Sequence, residues 1–372
     1  MAYGTINADQ IGTSVAGSNL GAGNASIMKN RIINGAMVID QRNSGSSVTP
    51  TAGSLFTVDR WLFSLDQSSK VSFQQNAGAV TTPSGFANYL GFTTVSAYTV
   101  ASGETWRLEQ NIEGFNTSDL NWGTANAKTV TLSFQVYSSL TGTFGGAISN
   151  SARNRSYPFS YSIPAANTWT SISITIPGDT TGTWIGATNG IGMRLEISLG
   201  TGSTLSGTAG AWAGATYISA TGATSILGTN GATLYITGVQ LEVGSIATGY
   251  EYRQYAQELA LCQRYFEECA NTGISQGYIA TGINHSTSQA RAVLRYSVPK
   301  RATPTLSANG TTIYWEYSSA GGLSANITPS FDNPSTRAVL VYNGSLTIVS
   351  GVGNTLHEAN GATTQIWVSA EL

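Results

Sequence analysis

The chain has 372 residues, 41% of them hydrophobic. That is enough for a large core and long for one β domain, so two folded units are expected. Only 10% of residues are charged and the formal net charge is -2, which argues against a nucleic-acid partner, because phosphate binding needs clustered Lys and Arg. No apolar run reaches membrane-spanning length, and residues 1–10 lack the basic and apolar regions of a signal peptide; the expectation is a soluble chain, made in a cytoplasm and not inserted in a membrane.

Residues 1–30 hold few bulky apolar side chains and many Gly, Ala, Ser and Asn. Such a segment cannot offset its own ordering entropy. It reads either as a frayed terminus or as a docking peptide, with Thr5, Ile6 and Ile11 available to add a short strand to a partner sheet. From residue 31 the composition changes. Ile32, Ile33, Met37, Val38 and Ile39 mark a first strand region, and Phe56, Val58, Trp61 and Phe63 supply bulk to the next. Alternation is clear over 129–137, where Val130, Leu132, Phe134 and Val136 oppose Thr131, Ser133 and Gln135. It recurs over 171–176 and 192–200, the latter with Met193, Leu195, Ile197 and Leu199 on one face. Period-two strands with one wet face, spaced by turn residues, predict antiparallel sheets packed as a sandwich over 31–250. Residues 200–231, nearly all Gly, Ser, Thr and Ala around Trp212 and Tyr217, read as a long loop or weak edge strands.

Residues 234–270 are the joint of the chain. Leu234 and Ile236 alternate with their neighbours, and Val239, Leu241 and Val243 do so one register later, so a bulge is expected at Gly238. After Gly249 the apolar period becomes helical. Tyr252, Tyr255, Leu259, Cys262, Phe266 and Cys269 recur three or four apart and predict a connecting helix over 251–270. The stripe is close to a heptad seam and is the expected oligomerisation surface, with packing on the chain's own sheet as the alternative. Alternating stretches at 291–298, 312–317, 338–342, 346–349 and 365–370 then predict a second, smaller β domain over 271–372. The expected class is all-β, with one short helix between two β units.

Catalytic signatures are mostly absent: there is no HExxH or Walker loop. Glu104, Glu109, Glu113 and Glu242 are the carboxylates open to pairing for glycoside cleavage, but structural use of such groups on a β surface is commoner, and no catalytic residue is expected. Asp59-Arg60-Trp61 reads as a strand-end ion pair packed beneath an indole. His285 and His357 are isolated, so no metal site and no cofactor are expected. Cys262 and Cys269, roughly 10 Å apart along a helix axis, exceed disulfide reach and read as small apolar residues. Tyr314, Trp315, Tyr317, Phe331, Asn333 and Trp367 place aromatic rings among amides and hydroxyls. Rings stack on the C–H faces of sugars while amides bond their hydroxyls, so this set is the candidate carbohydrate or receptor surface. Any one of them singly is more at home in a core.

The run ITGVQLEVGSIATGYEYRQYAQELALCQRYFE at 236–267 resembles the junction of many bacteriophage tail fibre and virion appendage proteins. NRIINGAMVIDQRN at 30–43, FTVDRW at 56–61, VPKRATPT at 298–305 and MAYGTINADQI at 1–11 are similar to other parts of such fibres. The resemblance covers most of the chain up to residue 305 and leaves the last seventy or so residues unmatched. Phe266 stands where the family pattern more often has Tyr. What the resemblance implies is a jelly roll similar to carbohydrate-binding modules over 31–250, a helix leading to a terminal β domain that is the receptor-binding tip, and a virion-attachment segment at 1–30. It also implies a homotrimer, held on the virion by tail, baseplate or other structural proteins, that attaches to a host surface glycan or other receptor. A structural head or neck decoration fibre and a polysaccharide-degrading tailspike are the alternatives; the parallel β-helix repeat usual in the latter is not visible.

Overall fold

The computed structural model describes residues 28–51, 53–269, 277–309, 313–317, 329–344, 346–358 and 365–372, with 309, 313–317 and 358 described by their backbone alone. Residues 1–27 of the expected attachment segment lie outside the described residues. The strands up to the joint are β1 (Leu55–Phe56), β2 (Leu62–Leu65), β3 (Val71–Gln75), β4 (Leu90–Thr94), β5 (Thr105–Glu113), β6 (Val130–Ser138), β7 (Gly142–Ser149), β8 (Ser156–Ile163), β9 (Thr170–Ile176), β10 (Ile191–Thr201), β11 (Ser206–Gly207), β12 (Ser219–Ala220) and β13 (Thr233–Val243). Two sheets face each other, ordered β1-β2-β5-β10-β7-β8 and β3-β4-β13-β6-β9. Every ladder in them is antiparallel. The alternation read from the sequence decides what lies between them: Met193, Leu195, Ile197 and Leu199 of β10 and Val130, Leu132, Phe134 and Val136 of β6 all enter one core with Trp61, Trp106 and Phe92.

The irregularity in the β13–β6 ladder falls between Thr237 and Gln240. Gly238 sits there with φ +63°, and a Cβ on it would stand 2.5 Å from the Phe86 ring. The expected bulge therefore has two causes, a left-handed backbone and an aromatic ring laid on it. Residues 31–39, expected as strand, are not. Asn34 and Met37 have positive φ, and the Asn34 side chain bonds the backbone of Val38, Ile39 and Asp59 at 2.8 to 3.0 Å, replacing a ladder with a knot. Asn30 and Arg31 attach this knot to β13, through Leu241 N to Asn30 Oδ1 at 3.0 Å and Arg31 N to Leu241 O at 2.9 Å.

The helix is shorter than the apolar period implies. It is α1 (Tyr255–Gln263), not 251–270, and Phe266–Glu268 forms strand β14. The physical reason is a stronger competitor downstream. β14 pairs with β22 (Gln365–Ser369), which buries Phe266 edge to face with Trp367, centroids 6.0 Å apart. The stripe accordingly divides. Cys262 is buried against Ile33, Ile39 and Tyr265 of its own chain, with Leu259 packed beside them. Cys269 borders the second core. Tyr252 and Tyr255 are each 62% exposed. A continuous six-residue helical seam does not exist.

The second β unit comprises β14, then β15 (Tyr278–Asn284), β16 (Ala290–Arg295), β17 (Thr305–Asn309), β18 (Ile313–Tyr317), β19 (Ser330–Asp332), β20 (Ala338–Asn343), β21 (Gly353–Glu358) and β22. Its sheets run β14-β22-β17 and β18-β21-β15-β16-β20-β19 around Leu294, Val341, Leu356, Ile366 and Val368. Residues 346–349, expected as a strand, join no ladder; Leu346 and Ile348 instead bury their side chains in that core. The whole is an all-β, antiparallel jelly-roll sandwich, a short helix and a smaller β unit. The two units are tied by charge. Arg264 and the Tyr265 hydroxyl both reach Glu113 of β5, Glu371 bridges Arg42 and Arg60, and Asn111 donates to Leu372 O at 3.0 Å.

Candidate functional site

Three tryptophans that belong to no strand meet at one end of the first sandwich. Trp122 follows two short 3-10 turns, 114–116 and 118–120, and its entry and exit are set by positive φ at Asn121 and Gly123. Trp184 lies in the connection from β9 to β10, and Trp212 in that from β11 to β12. Their rings are mutually edge to face, with centroids 4.7 Å apart for Trp122–Trp184, 5.3 Å for Trp122–Trp212 and 5.6 Å for Trp184–Trp212. Each such pair is worth about 0.5–1.5 kcal/mol beyond its buried area, so the trio holds three loops together where no ladder does.

Each of the three indole N–H groups is bonded within the chain. Trp122 donates to Lys128 O at 2.7 Å, Trp212 to Pro177 O at 2.8 Å, and Trp184 to Asp179 Oδ2 at 3.2 Å. Asp179 is itself clamped by Arg155 through two bonds of 2.8 and 2.7 Å. Burial pushes the Asp179 carboxyl upward, but the bonds from Arg155, Thr181 and Trp184 and the charge of Arg155 outweigh it and leave it below its ordinary value. The Arg155 guanidinium also stands over Trp212, 5.9 Å from the ring centre. The rings are thus fixed by their polar edges, while Trp184 and Trp212 keep part of their apolar surface in solvent.

Beside Trp122 and Trp184 opens a cavity of about 40 Å³, walled on its apolar side by Leu120, Ile185 and Met193. Phe115, two residues before the lining residue Thr117, is 51% exposed, its N–H bonded to Thr188 O at 2.9 Å. No lining residue is ionisable. What the site offers is rigid aromatic surface with hydroxyls and an amide beside it.

The set expected from the sequence lies elsewhere, in the second β unit. Tyr314, Trp315 and Tyr317 stand in β18 opposite His357, Leu356 and Asn354; their side chains lie outside the described residues. Phe331 packs against the second core, Trp367 on Phe266, and Asn333 is an exposed turn residue with φ +49°. Trp367 is half-buried there, as Trp184 and Trp212 are at the first sandwich. Sequence reasoning missed Trp122 and Trp184 and placed Trp212 in a loop without a role. The available signal was that all three interrupt Gly/Thr/Asn turns (NWGT, TWIG, AWAG) and none continues an alternating strand.

Of the four carboxylates, Glu104 caps its own loop by accepting from Ala101 N at 2.9 Å, Glu113 holds the junction, and Glu242 accepts from Thr248. Glu109 lies opposite Glu196 across β5 and β10, both buried. Arg153 and Arg107 bond or pair with both, and Arg194 reaches Glu109 Oε1 at 2.6 Å. Burial raises the Glu109 carboxyl, yet the three guanidiniums together bring it below the usual range. Glu196 is pushed up by burial and by the charge of Glu109. The pair is sealed beneath arginines. Among the described residues no group of His, Cys, Asp and Glu is arranged to hold a metal.

No protein-family model matches the chain, and no curated protein matches it. Solved structures similar to it include the enzymatically active domain of tailspike protein 4 of bacteriophage CBA120, at 12% identity and TM-score 0.32, covering 58% of this chain and 21% of that one. Others are a family 11 carbohydrate-binding module from Clostridium thermocellum in complex with a mixed-linked tetrasaccharide (12%, TM-score 0.26, 53% and 99%) and a xylan-binding domain from Paenibacillus barcinonensis (8%, TM-score 0.26, 54% and 95%). This chain thus spans about a fifth of the tailspike structure and nearly all of the modules. Scores and identities this low carry neither fold nor function across.

Proposed function

We propose that the chain is a bacteriophage appendage protein, a tail fibre or similar virion part, that attaches to a host surface glycan and acts by binding and not by catalysis. The observation that carries the ligand class is the loop-borne Trp122–Trp184–Trp212 trio beside an uncharged cavity. Trp122 is anchored in the core, and Trp184 and Trp212, packed against it, keep surface in solvent. Ordered aromatic surface of this kind on connecting loops suits recognition at little conformational cost. The phage assignment rests on the resemblance of residues 236–267 to fibre junctions. On this reading residues 1–30 attach the protein to the tail, baseplate or another virion protein after assembly in the host cytoplasm, and the protein works as a homotrimer.

Two measurements test the proposal. Intrinsic tryptophan fluorescence, titrated with polysaccharide stripped from a susceptible host, should shift and saturate for the intact protein. Trp184→Ala should abolish the saturation while circular dichroism still reports the β fold. An unchanged titration in that variant removes the trio as the site. Gold-labelled antibody against the protein should decorate tails in electron micrographs; label on heads alone would favour the decoration-fibre alternative.

A further inference from the structure

The cavity beside Trp122 and Trp184 has two chemistries in one small space. Its inner wall is apolar, Leu120, Ile185 and Met193 with the two indoles. Its polar lining is Ser118 and Asn121, at the more exposed rim, and the buried Thr117. These groups are barely committed. Among the described residues Asn121 Nδ2 reaches only Asp119 O, at 3.3 Å, and Thr117 Oγ1 only Gly114 O, also at 3.3 Å. The volume of about 40 Å³ admits a group of a few heavy atoms, since about 10–15 Å³ of such space takes one water.

We infer that this cavity receives the acetamido group of an N-acetylated hexose, the methyl against the apolar wall and the amide against Ser118 and Asn121. The inference rests on the glycan-binding reading and narrows it. Each simpler substituent leaves one half of the cavity without a partner. A hydroxyl would put an unpaired polar atom against Leu120 and Met193. The methyl of a deoxy sugar would leave the rim amide and hydroxyls facing nothing. A carboxylate or sulfate would arrive charged where no lining residue carries a compensating charge. The acetamido group alone presents a methyl, a C=O acceptor and an N–H donor within four heavy atoms, and the pyranose ring that bears it is left at the mouth, where Trp184 is partly open to solvent.

The test uses matched sugars that differ only at this substituent. Triacetylchitotriose is set against cellotriose, and N-acetylgalactosamine and N-acetylmannosamine against galactose and mannose, each titrated into the full-length protein. We expect at least one acetylated sugar to bind about tenfold more tightly than its hydroxyl counterpart, from one buried methyl and one good hydrogen bond. Saturation-transfer NMR should show the acetyl methyl as its most strongly saturated proton. Ser118→Ala with Asn121→Ala should cut the preference to less than about threefold. Equal affinity within every pair, with binding still lost in Trp184→Ala, overturns the acetamido assignment and leaves glycan binding standing. An absence of binding to every sugar, together with an unchanged titration by host polysaccharide, overturns both.

Discussion

The Tyr265 hydroxyl donates to Glu113 Oε2 at 2.6 Å, and the bond ties the residue just before β14 to β5 of the first sandwich. Arg264 closes the same carboxylate from the other side, Nε to Oε2 at 3.0 Å. Burial raises Glu113, but the bonds from Arg264 and Tyr265 and the charges of Arg264 and Arg301 together leave it lowered. A carboxyl depressed on folding contributes stability above its unfolded value and loses it as pH falls through its folded value. Glu113→Ala should therefore weaken the joint by about 2 kcal/mol, the scale of hydrogen bonds to a charged group, and soften the acid side of the stability profile. Urea unfolding at pH 7 and pH 4 measures both effects; identical midpoints for variant and parent would contradict them.

Asp59 behaves in the opposite sense. Burial, the largest influence, raises its carboxyl from 3.8 to about 7 against the pull of Arg42 and the Gln41 amide, and Glu371 and Asp40 raise it further. A group whose folded value exceeds its unfolded value contributes stability below the unfolded value and loses it as pH rises toward the folded one. The loss runs from about pH 4 to pH 7, at no more than ~1.4 kcal/mol per pH unit. Asp59→Asn should flatten that part of the profile. A melting series from pH 4 to pH 8 that keeps its full slope in the variant would place the titration on another group.

Gly238 should tolerate no side chain. Its φ of +63° opposes one, and so does the Phe86 ring, which would stand 2.5 Å from an added Cβ. Gly238→Ala is expected to cost about 2–3 kcal/mol, through backbone strain and displacement of the ring. Denaturant unfolding checks this, with Gly228→Ala, whose added Cβ meets nothing within 4 Å, as the control.

The trimer reading now rests on less of the stripe. Phe266→Ala should destabilise each chain by about 3–5 kcal/mol, as loss of a buried aromatic does, and should do so whatever the assembly state. Tyr255→Ala removes an exposed ring and should lower the assembled fraction while leaving chain stability nearly unchanged. Tyr252→Ala would also cost the chain its contacts with Phe86 and Tyr250, whose ring centroids lie 5.9 and 5.1 Å away. Light scattering of the parent protein decides the premise: a mass near 38.8 kDa rules the trimer out.

Much of the framework was legible in the chain itself. β6, β9 and β10 follow from period-two alternation, and the bulge follows from the change of register at Gly238, because both are local: the side chain's direction is fixed by its neighbours two residues away. That a helix follows Gly249 is local too, though it begins at Tyr255 and not at 251. Its end is not. Phe266 continues the helical period, yet pairs with Trp367 in β14 and β22 because a buried ladder and an aromatic contact outweigh a few residues' preference for helix. Asn34 and Met37 likewise leave the extended form for a knot whose partners include Asp59 and Trp61. The candidate site lay furthest from view. Trp122, Trp184 and Trp212 sit in three separate connections, and only the packing of one sandwich brings their rings within 6 Å. Sequence determines that such rings must be buried somewhere; which loops share an end of the sandwich is settled by strand order, and strand order is a property of the folded sheet.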